Sequence, residues 1–411
     1  MAESLDLKLL RRIARHPTAS FFEDLIQAES LQILDELFSR NSKVSIQKDE
    51  NGNIIAHYKG DKDKTRPQNS IAYVSHMDHP AFLVTGHPKP AHVEVTMYGG
   101  LNSELMLKSR VDLCRFEKDK VIKERGTIIE ELPEPSEEGH HRYLVRARNA
   151  HDFTFATLAL PSLVVGKDDI IRGPALDDLA SVATSIAALN QIAQEQLLVD
   201  VYVVLHRAEE IGFIGAYGVA SSRIIPQDTF VYSIETSSYK ARRNGKDPLG
   251  PVDTIAKVGG GVVIRTGDAR TPAFDFAAVH LLREAAFNMP VRMDEENQHH
   301  FPVQQVRMYG GGCEGSLYYA MGYRTAGIIL PLIAWHNNGV WEGEKRLMRE
   351  GVHRDDFHGM TELMVNTART LSDRPLLYTD LGRGDITPEH GEMVTKIKGL
   401  FEHYKGKGLL G

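Results

Sequence analysis

The sequence predicts an α/β protein: a mixed sheet sandwiched by helices, interrupted early by a small all-β module. Two observations carry this. From Ile170 onward helical and strand patterns alternate, which implies a sheet covered by helices on both faces. Between about Pro80 and Asp169 short β-like runs replace any long amphipathic helix. The expected organisation is residues 1–79 as the first part of the α/β domain, 80–169 as the insert, and 170–411 as the second part.

Each element has its own signal. Leu5, Leu9, Leu10 and Ile13 share one helical face, and Pro17 closes that helix. Ser20-Phe21-Phe22-Glu23 reads as a capping box before a second helix containing Leu25, Ile26, Leu34, Leu37 and Phe38. Asn51-Gly52 is a hairpin turn between two strand-like runs, and Ile71 to Ser75 is an apolar strand. In the insert, Ala91 to Tyr98, Val111 to Phe116 and Tyr143 to Arg148 are β-like, while the charged stretch Glu117 to Glu138 reads as a solvated face and loop. Beyond it, Leu179 to Gln196 is helical and Leu197 to Leu205 is a continuous apolar strand of the buried parallel type. Helices follow at Gly215 to Ser222, Phe274 to Phe287 and Arg354 to Leu371, strands at Phe230 to Ile234 and Thr325 to Leu332, and a helix start at Thr387-Pro388. Gly259-Gly260-Gly261 is a turn feeding strand Val262 to Arg265 rather than a dinucleotide fingerprint.

Composition narrows the chemistry. The 411 residues carry 48 Lys+Arg against 55 Asp+Glu, a net charge of −7, which argues against nucleic-acid binding. Only Cys114 and Cys313 are cysteines, so a disulfide framework and a Cys-rich zinc site are excluded. Any metal would rest on carboxylates and some of the 18 histidines. No apolar run is long enough to span a membrane and the N-terminus has no apolar leader, so a cytoplasmic location is expected.

Five segments place polar residues after an apolar strand or at a helix start: Ser75-His76-Met77-Asp78, Ala175-Leu176-Asp177-Asp178, Ala208-Glu209-Glu210, Ile234-Glu235-Thr236 and Trp335-His336-Asn337. Ligands of open α/β sheets bind at the carboxyl ends of strands, so such segments can converge. Taken singly each has a plainer explanation, as a helix cap or a surface pair. Together, two imidazoles and several carboxylates suit zinc, with manganese or cobalt as alternatives. The donors exceed what one zinc needs, which favours two divalent ions sharing a carboxylate, with another carboxylate beside them as general base.

In this order the segments resemble the tetrahedral aminopeptidase family of di-zinc metallopeptidases. Gly173-Pro174-Ala175-Leu176-Asp177-Asp178 is similar to that family's bridging-aspartate motif. Glu209-Glu210-Ile211-Gly212 with Gly215-Ala216 is similar to its catalytic segment, and Gly310-Gly311-Gly312 ahead of Glu314 to its glycine-rich loop. The long interval from His76 to Asp177 is where that family inserts a β-barrel domain. The interval from Glu235 to His336 is too short for the extra domain of the related deacylases.

The resemblance implies roles. His76, Asp177 and Glu235 would hold one metal; Asp177, Glu210 and His336 the other. Glu209 would be the general base, assisting attack by a metal-bound hydroxide, and then the proton donor. Asp78 would orient His76, and a cis peptide would join Asp177 to Asp178. The substrate amino group would bind near one metal and Glu314 or Glu235. The substrates would be short peptides, and the particles homo-oligomers, from dimer to dodecamer, with the insert as dimer contact. Glu235 and Cys313-Glu314 depart from the family's Asp and Thr-Asp. Arg207 has two readings, a substrate-side charge or a local ion pair. His140-His141, His299-His300, His353 and His358 lack metal spacing. Two other functions remain open on the sequence: a zinc-dependent amidase or deacylase, and a non-catalytic assembly protein.

Overall fold

The computed structural model describes residues 3–61, 70–117, 120–148, 152–242, 252–289, 291–293, 298–308, 311–373 and 385–410. Helices α1 (Leu5–Ile13) and α2 (Asp24–Phe38) open the chain. The expected capping box does not form, because tertiary partners take both side chains. The Ser20 hydroxyl donates to Asp78, and Glu23 accepts from Arg207 and the N–H of Ala208. Strands β1 (Val44–Lys48) and β2 (Ile54–Tyr58) pair antiparallel across the Asn51-Gly52 turn, and β3 (Ser70–His76) follows, buried along its whole length.

The chain then leaves the sheet and closes a barrel of β4 (Ala81–Lys89), β5 (His92–Tyr98), β6 (Arg110–Glu117), β7 (Lys120–Glu131), β8 (Arg142–Arg146) and β9 (Phe155–Leu158). The charged stretch from Glu117 was expected to be face and loop, yet most of it is strand β7. Its outer side chains are solvated while Gly126 and Ile128 turn inward, so the charge marks one face of a strand. Phe82, Val93, Val95, Val111, Tyr143 and Val145 fill the barrel.

After β10 (Val164–Val165) and β11 (Ile170–Gly173) the chain re-enters through helix α3 (Leu176–Glu195). Strand β12 (Asp200–His206), helix α4 (Ile214–Ser222) and β13 (Phe230–Ser238) come next. Short strands β14 (Lys240–Arg242) and β15 (Val252–Thr254) pair with each other, and β16 (Val262–Arg265) leads to α5 (Phe276–Phe287). β17 (Val291–Met293), β18 (Gln298–His300) and β19 (Val303–Val306) precede α6 (Glu314–Ala320) and β20 (Arg324–Leu332). β21 (Glu350–His353), α7 (Arg354–Asp373) and a last helix, Pro388–Gly406, complete the described chain.

The large sheet has the order β1-β2-β12-β3-β13-β20-β16-β19. Its central strands β12, β3, β13 and β20 are parallel, β1–β2, β2–β12 and β16–β20 pair antiparallel and the edge pair β16–β19 is parallel, so the sheet is mixed. Leu10, Ile186, Leu282 and Met364 from α1, α3, α5 and α7 share one core with one sheet face. Ile214, Leu317, Phe401 and Tyr404 from α4, α6 and the last helix share another with the opposite face. Parallel neighbours end at one edge, which brings distant segments of sequence together there.

Candidate metal centre

His76 ends β3 and lies in register with His206, the last residue of β12. Glu235 sits on the adjacent β13, and His336 follows β20. Asp177 enters from the side at the start of α3, joined to Asp178 by a cis peptide. His76 Nε2 stands 3.5 Å from Asp177 Oδ1 and 3.8 Å from Glu235 Oε2. His336 Nε2 stands 3.5 Å from Asp177 Oδ2 and 3.3 Å from Glu210 Oε1. The two oxygens of Asp177 therefore face two separate imidazoles. Donors about 2.0–2.2 Å from a tetrahedral zinc lie roughly 3.3–3.6 Å from one another, a spacing that three of these four distances match, with His76 to Glu235 slightly wider. His76, Asp177 and Glu235 form one group of potential ligands, and Asp177, Glu210 and His336 another.

The electrostatics call for cations. Asp78, Asp177, Glu209 and Glu235 are buried beside His76 and His336. Burial alone would lower the His76 pKa, yet Glu209, Asp177, Asp78 and Glu235 hold it well above the ordinary value. His336 is pushed up to about 9 by Glu210 and Asp177, against the effect of burial. Burial, then repulsion by Glu235, Glu210 and Asp78, raises Glu209 well above the usual carboxylate range, with His76 opposing. The Glu210 oxygen that faces His336 has no hydrogen-bond partner. A buried acceptor without a donor fits a ligand position.

The supporting contacts are specific. Asp78 accepts the backbone N–H groups of Glu209 and Glu210 at 2.9 and 3.1 Å, and stands 3.4 Å from His76 Nδ1. One carboxylate thus orients an imidazole and holds the Glu-Glu turn. Gly215 lets that turn close, since a Cβ there would lie 2.4 Å from the Arg207 carbonyl oxygen. Ala208, Ala334, His336 and Asn337 all have positive φ, a strained state for side-chain-bearing residues that the surrounding hydrogen bonds must hold.

Several contributors escaped the sequence reading. Glu350 accepts the N–H groups of Leu176, Asp177 and His336. The carbonyl of Gly100, just past barrel strand β5, meets His336 Nδ1 at 3.0 Å. Asp178 Oδ2 accepts the N–H of His76, and His79 reaches both the Asp177 carbonyl and Asn337. His79, three residues past His76, and Asp178, beside Asp177 in a segment already singled out, had a local cue.

Other expectations need adjustment. Glu314 has no exposed surface and lies behind Glu235, outside the cleft lining, so it is not placed to meet a substrate amine directly. Its carboxyl is raised far above the usual range by burial and by Glu235. Arg207 proves to be a local pair, with Nε 2.8 Å from Glu23. His140 packs on Tyr98, His141 pairs with Glu131 and His358 with Asp6, all away from the centre. Gly310 and the side chains of His299 and His300 lie outside the described residues. The centre opens into a cleft of 230 Å³ walled by Phe213, Thr236, Arg265, Arg270, Cys313 and Trp335.

Comparison with known proteins agrees with this geometry. Residues 152–338 match the family model described as M42 glutamyl aminopeptidase. That span holds Asp177, Glu209, Glu210, Glu235 and His336 but not His76. A lysyl aminopeptidase of Pyrococcus furiosus is 26% identical over 242 residues, covering 54% of this chain and 64% of the relative, so the match falls short of the relative's full length. The TET1 peptidase of Pyrococcus horikoshii, which assembles into a tetrahedron or an octahedral shell, superposes with a TM-score of 0.65 at 18% identity, covering 88% of this chain and 99% of that one. An aminopeptidase of Desulfurococcus kamchatkensis superposes with a TM-score of 0.67 at 17% identity, covering 96% and 98%. Over residues 152–338 the chain is thus similar to the M42 glutamyl aminopeptidase family, and its fold is that of the solved aminopeptidases.

Proposed function

We propose that the chain is a metal-dependent aminopeptidase that removes N-terminal residues from short peptides, using two divalent ions, zinc first and cobalt or manganese as alternatives. The observation that carries this reading is the pair of His–carboxylate triads meeting at Asp177. Ions held there would supply positive charge that polarises a peptide carbonyl and acidifies water.

The chain's own residues supply the rest. Glu209, 3.9 Å from His76 Nε2, is the group to take a proton from the attacking water and return it to the departing amine. Asp78 fixes the turn that presents Glu209, so the base does not need to be organised during the reaction. The cleft, smaller than the roughly 300–1,000 Å³ of most small-molecule sites, suits a single terminal residue.

Turnover of free and N-acetylated aminoacyl substrates, with and without chelator, tests the reading. Glu209→Gln should lower kcat by about 10²–10⁴-fold with metal content unchanged. Substantial activity in that variant, or equal cleavage of the acetylated substrates, would sink the assignment.

A homo-oligomer in the range from dimer to dodecamer belongs to the same proposal, with the barrel as contact. Leu107, Ile122 and Ile129 leave apolar side chains exposed on the insert, which supports it. A monomer by light scattering would overturn it. A cytoplasmic location is proposed as well, supported by the two unpaired, buried cysteines.

A further inference from the structure

A third group of donors lies behind Glu235. One ligand atom from each of Glu235, Cys313 and Glu314 falls within 4.8 Å of the others, and all three residues are buried. Glu314 has no exposed surface, and neither of its carboxylate oxygens has a donor. A carboxylate oxygen of Glu314 lies within 4.8 Å of one of Glu235, and two buried acids that close repel each other unless a cation or a proton stands between them. His206 is a separate observation. It too is fully enclosed; its Nε2 meets the Tyr318 hydroxyl at 2.9 Å, while Nδ1 has no hydrogen-bond partner and stands 3.8 Å from Glu314 Oε1.

A single proton shared by the two acids leaves His206 Nδ1 and the second Glu314 oxygen unanswered. One cation could accept lone pairs from Glu235, Cys313 and Glu314, with His206 Nδ1 flanking it beside Glu314 Oε1. We propose that Glu235, Cys313 and Glu314 form a further divalent-cation site beside the Asp177 centre, suited to zinc-like ions, with the unpartnered His206 Nδ1 flanking Glu314. The sulfur donor favours zinc or cadmium over magnesium, calcium or manganese. Cys313 Sγ now reaches only weakly toward Asp268, at 3.7 Å, and would release its proton to solvent as the ion binds. Cys313 also lines the cleft, which gives an ion a way in.

The site shares Glu235 with the proposed pair of metals, but its test reads separately. The full chain, stripped with chelator, is titrated with cadmium. Thiolate-to-cadmium absorption in the ultraviolet is followed, and bound cadmium is counted after desalting. The expected result is three ions per chain and a band that saturates with one equivalent. Cys313→Ser should lose the band and one ion, Cys114→Ser should keep both, and His206→Gln should weaken that equivalent at least tenfold. No band in the native chain, or a band that survives Cys313→Ser, overturns the proposal. A Cys313-dependent band with fewer than two further ions would leave this site standing and count against the metal pair instead.

Discussion

Glu350 accepts the backbone N–H of His336 at 2.9 Å on one oxygen and that of Asp177 at 3.0 Å on the other. A single buried carboxylate thus sets the distance between Asp177 and His336 without itself facing the cleft. Glu350→Ala should leave three enclosed N–H groups without acceptors. We expect a stability loss of about 3 kcal/mol in denaturant unfolding, and metal affinity reduced by roughly 10–100-fold in competition with a chromophoric chelator. Unchanged affinity would show that His336 and Asp177 are held by other means.

Gly100 couples the barrel to the centre. A Cβ at this position would come within 2.5 Å of His336 Nδ1. Gly100→Ala should displace the imidazole and reduce kcat at least tenfold, with little change in melting temperature. A variant with native kcat and KM would remove the barrel from any part in the reaction.

Arg207 and Glu23 form a buried ion pair at 2.8 Å, closed further by the carbonyl of Phe21. Truncating one partner strands the other charge. Arg207→Leu should cost about 3–5 kcal/mol in urea unfolding, while KM of the folded fraction stays near native. A selective rise in KM at native stability would restore the substrate-side reading of this arginine.

Asp6 joins α1 to α7 through His358 at 2.8 Å and Thr361 at 3.1 Å. Burial opposes its ionisation, but His358 and the neighbouring donors hold its pKa below the ordinary carboxylate value. A depressed folded pKa stabilises the fold above the unfolded value, about 3.9, and that stabilisation is lost as pH falls through the folded value. Asp6→Asn should therefore melt several degrees lower than native at pH 7, with the gap narrowing below about pH 4. A gap that is constant with pH would assign the effect to packing alone.

The sheet core and the ligands were legible because each carries a local mark. Continuous apolar runs such as Val201 to Leu205 bury on both faces, and His76 and His336 stand just where such runs end. Strand β7 was less legible, because its solvated face hides the alternation under charge. The Ser20–Glu23 cap failed for a different reason: local pairing lost to partners more than fifty residues away.

By itself the sequence pointed to the α/β class, to a β insert after His76 and to the histidines and carboxylates that the fold brings together. Periodicity and strand-end placement are properties of neighbouring residues, so they survive in one dimension. Only the tertiary structure decided which acids face the cleft. It placed Glu314 behind Glu235, spent Arg207 on Glu23, and recruited Glu350 and the Gly100 carbonyl to hold the ligands. Those assignments depend on which backbone groups and side chains are brought to one strand edge, and on how much water is excluded there, neither of which has a local trace in the sequence.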